Sequence, residues 1–441
     1  MFTMFVNAFK VKDIRKKLFF TFLCLIVIRI GSVIPCPGVT QEAMSYMKSL
    51  GKDLGFISVL TGGSLEQLSI FALNVSPYIT SSIIMQLLTI AIPSLAELQK
   101  DGETGRKKIA EISRYMTVAL ALIEGGAMAI GFHNAGYLQD DKIITIFIIT
   151  AAFTAGSAFL MWLGENITEH GVGNGISIIL LINIVSGLPT TFKGLHDQFV
   201  SGKPIAKAIL AAAIIIVTVL VTLVLIILLQ DAERKIAVQY SKKMQGRRMV
   251  GGNSSFIPVK VNTAGVIPVI FAVSIFQFPT VISSFFGVEG SATGTVWQRV
   301  LYACDTRHWF DVSSWGKFAF TIGALFYVAM ILFFAYFYTS ITFNPIEISN
   351  NMKKDGGFIP GIRPGKPTTD YLVKVLNYIV LIGAIGLAIV ALIPIICGGV
   401  FKAQFGFGGT SLIIVVGVVL ETMKQIESQL LVRHYKGFLN D

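Results

Sequence analysis

The residue types that carry most enzymatic and metal chemistry are sparse and irregularly placed in this chain. Five histidines, at 133, 170, 196, 308 and 434, show no ligand spacing, and four cysteines, Cys24, Cys36, Cys304 and Cys397, form no CxxC or Cys/His pattern. The cysteine spacing neither requires nor excludes a disulfide. Gly171, Gly173 and Gly175 make a GxGxG run, but no βαβ unit surrounds them and they read as the opening of a membrane helix. GETGRKK (102–108) lacks the preceding strand and the Lys-Ser/Thr ending of a phosphate loop. With no nucleophile–base constellation, these residues predict no enzyme, no cofactor and no metal site. The remaining chemistry is that of charge and apolar surface. Arg234, Lys235, Lys242, Lys243, Arg247 and Arg248 crowd residues 231–248, and Arg363 stands in a PGIRPG run (360–365). Such cations suit phosphates or acidic protein surfaces, arginine's planar fork being the better phosphate partner. Topological charge bias accounts for basic loops, but not for two prolines and two glycines that fix the direction of one arginine.

The elements that must hold these residues follow from composition. The 441 residues are 54% hydrophobic and only 14% charged, with a mean hydropathy of +0.71. So few charges cannot cover a water-facing surface; a soluble domain carries about 25%. Runs such as 206–229 and 371–397 exceed the roughly 20 apolar residues that cross a bilayer. In hydrocarbon the backbone must bond to itself, and long unbroken apolar runs make helices rather than a barrel. We expect spans near 18–34, 74–91, 113–131, 143–163, 175–188, 206–230, 264–286, 317–340, 371–395 and 409–427. The net charge of +11 is read as positive-inside bias, because most lysines and arginines fall on alternate loops. That bias places both termini on the cytoplasmic side. The basic stretch before Leu18 has no small-residue cleavage site after it, so an uncleaved first span is expected.

Several segments depart from a plain bundle. Residues 55–70 (GFISVLTGGSLEQLSI) predict a short amphipathic helix broken at Gly62-Gly63, too short and polar to span. Asn74 and Pro77 open the second span, and Asn262 and Pro268 open the seventh, a pairing that suggests an inverted repeat. Arg29 and Glu124 lie in or near spans, where ionisable groups are functional by default; Arg29 is expected to snorkel to the outer interface.

At these same residues the chain resembles the SecY family of protein-conducting channels. The segments carrying the resemblance are 62–88 (GGSLEQLSIFALNVSPYITSSIIMQLL), 102–109 (GETGRKKI), 162–184 (WLGENITEHGVGNGISIILLINI), 260–271 (KVNTAGVIPVIF), 360–365 (PGIRPG) and 408–416 (GGTSLIIVV). They occur in the family's order and cover nearly the whole chain. The resemblance implies an all-α polytopic membrane protein of ten helices in two pseudo-symmetric five-helix halves with a re-entrant plug helix. The expected division is a cytoplasmic segment 1–17, an N-terminal half 18–190, a C-terminal half 191–428 with cytoplasmic loops 231–262 and 341–370, and a tail 429–441. It further implies a pore ring of Ile79, Ile83, Leu180, Ile184, Ile270 and Ile414, with Leu180 where several relatives carry Ile. Stiff aliphatic side chains suit that task, because an empty apolar neck dewets and stops ions. By the same resemblance the plug takes in Ile57, Leu60, Gly62, Gly63, Ser64 and Leu65. Gln86 and Asn262 are expected to form a polar pair at a lateral gate, and the basic residues named above to dock the SecA ATPase and the ribosome. The implied partners are SecE, SecG, SecA, the ribosome, signal sequences, unfolded preproteins and lipid, all at the cytoplasmic membrane. The rival reading, an ion-coupled secondary transporter, also uses inverted repeats. It needs a buried ionisable relay, for which Glu124 is the one clear candidate.

Overall fold

The computed structural model describes residues 9–54, 56–140, 142–199, 201, 205–240, 243–245, 248–250, 254–285, 288, 290–291, 293–305, 309–310, 321–401 and 409–437. The chain divides into two compact units, Met1–Gly194 with Ser283–Val288 and Val418–Asp441, and Leu195–Ile282 with Glu289–Gly417. The first unit holds α1 (Lys12–Gly31), α2 (Gln41–Leu54), α3 (Phe56–Thr61), α4 (Ser76–Ala91), α5 (Pro93–Lys100), α6 (Gly102–Asn134), α7 (Ile143–His170) and most of α8 (Gly175–Phe199). The second holds α9 (Ile205–Asp231), strands β1 (Glu233–Tyr240), β2 (Lys243–Gln245), β3 (Arg248–Val250) and β4 (Ser254–Lys260), then most of α10 (Ile267–Phe285), α11 (Val296–Cys304), α12 (Ile322–Thr342), α13 (Pro345–Lys354), β5 (Gly357–Phe358) and α14 (Lys366–Phe401). The last helix, α15 (Gly409–Gly437), starts in the second unit and ends in the first.

Each of the ten predicted spans overlaps a helix among the described residues. Among the described residues seven stretches are long and apolar enough to cross a membrane: α6, α7, α8, α9, α12 running on through α13, α14 and α15. An eighth arises if α4 and α5, bent by 106° at Pro93, count as one. α1 carries too many charges to qualify, and the apolar part of α10 is short. The outward surface of α9 shows what the solvent must be: Leu210, Ile216, Val217, Leu220, Val224 and Leu228 are all exposed, a cost in water that lipid removes.

Packing within each unit has its own core. In the first, Cys36, Val39, Met47, Leu65, Leu68, Leu73, Met128, Phe132, Ile149 and Phe153 make one buried cluster that joins α2, α6, α7 and the segment before α4. In the second, Ile236 and Val238 of β1, Val259 of β4, Met352, Ile359 and the face of α14 from Leu372 to Ala384 form another.

Two expectations need correction. Residues 55–70 are helical only over Phe56–Thr61, and 62–75 are turns and a bridge. The cause is the Gly62-Gly63 pair, which takes up positive φ (62° and 82°) and ends the helix. Residues 231–262, expected as a loop of an all-helical protein, are a small antiparallel sheet of order β4-β1-β5 beside a β2-β3 hairpin. The alternation in β1, with Ile236 and Val238 buried between exposed neighbours, is that of a strand with one covered face. The segment 429–441 continues α15 as far as Gly437.

Candidate functional site

Residues 62–75 form a strap that re-enters the first unit. Its backbone is stitched to the loop after α1: Cys36 N–H donates to the Leu68 carbonyl at 2.8 Å, and Ile70 N–H to the Ile34 carbonyl at 3.0 Å. Ser64 Oγ lies 2.8 Å from the Thr61 carbonyl oxygen and 3.0 Å from that of Phe71. Asn74, held at a φ of 52°, donates through Nδ2 to the Thr61 carbonyl at 3.2 Å and accepts from Val75 N–H at 2.8 Å. A non-glycine residue at positive φ is uncommon, and Asn is among the residues that tolerate it. Arg29 Nη1 donates to the Gly62 carbonyl at 3.5 Å, a long bond.

Close approach fixes the strap from three sides. A Cβ on Gly31 would overlap the Phe71 ring, and one on Gly156 would overlap the Ile70 carbonyl. A Cβ on Gly62 would stand 2.9 Å from the Cα of Asn183 on α8. Leu65 and Leu68 are buried in the core, Leu60 is half-buried, and Ile57 lies on α3. Of the small residues expected to permit close packing, Gly62 is in contact, whereas an added Cβ on Gly63 would meet nothing within 4 Å. Cys36 sits in this same core, and burial pushes its thiol up to about 12.

The expected pore residues fall on four helices. Ile79 and Ile83 lie one turn apart on α4 and are half-buried; Leu180 and Ile184 lie one turn apart on α8 and are buried. In the second unit Ile270 lies on α10, half-buried, and Ile414 on α15, buried. Gln86 is half-buried on α4, and Asn262 is buried in the turn before α10. Neither Gln86 Oε1 nor Asn262 Nδ2 has a hydrogen-bond partner among the described residues. Sequence reasoning missed Asn183, also buried with both amide atoms unpartnered. The signal for it was a lone amide inside the apolar run of α8.

Several of the basic residues stand on or beside two small sheets in the second unit. β1 pairs with β4 from Glu233↔Lys260 to Gln239↔Ser254, and with β5 at Gln239↔Phe358 and Tyr240↔Gly357, so the sheet joins the two segments 231–262 and 341–370. Arg234 and Lys235 are exposed. Lys235 Nζ lies 3.6 Å from Glu233 Oε1 and 4.8 Å from the centroid of the Phe256 ring; such exposed contacts contribute about 1 kcal/mol or less each. The Arg363 turn is held by its backbone. Ile362 N–H donates to the Ile359 carbonyl (3.0 Å), Thr368 Oγ1 to the Arg363 carbonyl (2.9 Å) and Ser349 Oγ to the Gly365 carbonyl (3.1 Å). Gly361 and Gly365 supply φ values of 82° and 106°. The Arg363 side chain is exposed and makes no ion pair among the described residues. Lys243 and Arg248 lie on β2 and β3, while Lys242 and Arg247 fall outside the described residues.

The fold and site are those of a many-helix membrane protein with a strap packed inside one unit and basic strands in the other. A family model described as SecY matches residues 69–423. The chain is 42% identical to the protein translocase subunit SecY of Halalkalibacterium halodurans and 42% to that of Bacillus subtilis, with 100% of each chain covered. Among solved structures it is similar to one described as a protein conducting channel, with a TM-score of 0.64 at 19% identity, covering 94% of this chain and 92% of the other. It is also similar to Sec61 in the canine ribosome–channel complex from the endoplasmic reticulum, with a TM-score of 0.58 at 18% identity over the same shares. The chain belongs to the SecY family. It is a multi-pass membrane subunit of a protein-translocation channel, and the transporter alternative finds no support in these likenesses.

Proposed function

We propose that unfolded polypeptide passes through this chain itself, past a constriction of Ile79, Ile83, Leu180, Ile184, Ile270 and Ile414. Residues 56–75 act as the plug, and transmembrane segments leave sideways between the second and seventh spans, where Gln86 and Asn262 bias the gate shut. Buried amides between membrane helices contribute about 0.6–2 kcal/mol, enough to bias a gate and small enough for a signal sequence to overcome. The platform of Arg234, Lys235, Lys242, Lys243, Arg247, Arg248 and Arg363 receives SecA or the ribosome on the cytoplasmic side, with SecE and SecG as companion subunits in the cytoplasmic membrane. The energy for transport then comes from the docked partner.

The observation that carries this reading is the seat of the strap: Gly62 presses on α8 at Asn183, between Leu180 and Ile184 in sequence. A plug belongs beside the constriction it seals. The test is reconstitution with SecE, SecG and SecA in vesicles supplied with ATP. Protease-protected import of a preprotein is expected. No import, together with proton-coupled uptake of a small solute, would overturn the proposal.

A further inference from the structure

The seat of the strap contains a polar group with no task in the account above. Asn183 is fully buried, and neither its Oδ1 nor its Nδ2 has a hydrogen-bond partner among the described residues. Gly62 packs against the root of this side chain: a Cβ there would lie 2.9 Å from Asn183 Cα, 3.0 Å from its Cβ and 3.0 Å from its carbonyl oxygen. A buried amide without a partner disfavours whichever state buries it, because the lost hydration is not repaid by a hydrogen bond. The same amide carries two donors and an acceptor. It is complementary to the C=O and N–H of any peptide group, whatever side chain that group bears.

We propose that Asn183 is a contact for the main chain of the translocating polypeptide, capped by Gly62 while the strap is seated and offered to the passing chain when the strap leaves. The inference rests on the reading that Leu180 and Ile184 line the path. It makes this polar contact independent of the passing sequence, as a conduit for many polypeptides requires. It also gives Asn183 a sign. If this amide merely glued helices together, an apolar replacement of similar size would loosen the seated state; on the proposal, that replacement tightens it.

Two arms in the reconstituted complex test this. In the first, Asn183→Cys and Ile184→Cys are separately assayed for a disulfide with a single cysteine in a stalled preprotein. Adducts at both positions are expected. An adduct at 184 without one at 183 overturns this inference and leaves the pore reading standing, whereas adducts at neither overturn the pore reading as well. In the second arm Asn183→Leu is placed in an Arg29→Gln background, where loss of the bond to the Gly62 carbonyl should raise the resting ion conductance. The leucine should lower that conductance about tenfold and delay the onset of translocation. An unchanged or higher conductance overturns the proposal.

Discussion

Gly62→Ala should unseat the strap, and Gly63→Ala should do so far less. Both residues hold positive φ, 62° and 82°, so each alanine carries a backbone cost of about 1–2 kcal/mol. Only at Gly62 does the new methyl meet anything, coming within 3.0 Å of three atoms of Asn183. Overpacking of that kind adds about 1–3 kcal/mol. The seated state therefore loses about 2–5 kcal/mol in one variant and about 1–2 kcal/mol in the other. The difference corresponds to a ratio of roughly 5- to 150-fold in the population of the open path. Resting ion conductance of the reconstituted complex in planar bilayers reads that ratio directly, with thermal unfolding midpoints as the check that both variants fold. Equal conductances, or a larger one for Gly63→Ala, would refute the claim that the Asn183 contact seats the strap.

Other consequences are as specific. Gly156→Ala drives a methyl into the Ile70 carbonyl and should destabilise the first unit by about 3 kcal/mol, seen as a lower unfolding temperature in detergent. Thr368→Val removes a buried hydroxyl that holds the Arg363 carbonyl; at about 1 kcal/mol per bond it should weaken SecA binding several-fold, and Arg363→Glu should weaken it more. The Cys36 thiol, raised from 9.0 to about 12 by burial, should react with maleimide at pH 8 about a thousandfold more slowly than an exposed thiol. Because the thiolate is the nucleophile, its rate should climb as pH rises toward that value. Gly62→Ala should speed the reaction at fixed pH, as measured by mass shift in a chain whose other three cysteines are serine.

Membrane helices were legible because lipid as solvent leaves the backbone little choice. The ten apolar runs all overlap helices, and the Asn74/Pro77 and Asn262/Pro268 openings mark the starts of α4 and α10. The PGIRPG turn was legible for a local reason, since its glycines take the positive φ that only they adopt freely. What stayed hidden depends on partners far along the chain. Strand β1 alternates over only eight residues, and its charges mask an alternation that β4 and β5 complete. The bond made by Arg29 stayed hidden because nothing nearby in sequence points to the Gly62 carbonyl, 33 residues on. Asn183 looked like one polar residue in an apolar helix; its burial under Gly62 is a tertiary fact. The break at Gly62-Gly63 was legible, but that no helix resumes before Ser76 was not, because the turns of 62–75 are held by distant partners such as Ile34.

The central claim is that polypeptide runs past the α4 and α8 isoleucines. The most direct measurement places single cysteines by Ile79→Cys, Ile83→Cys, Ile184→Cys and, as a control on the exposed apolar surface of α9, Leu220→Cys, and offers each to a preprotein stalled in transit with one cysteine of its own. Adducts at 79, 83 and 184 but not at 220 are predicted. Adducts at 220 alone, or at none of the four while the chain is demonstrably stalled in the membrane, would contradict the account.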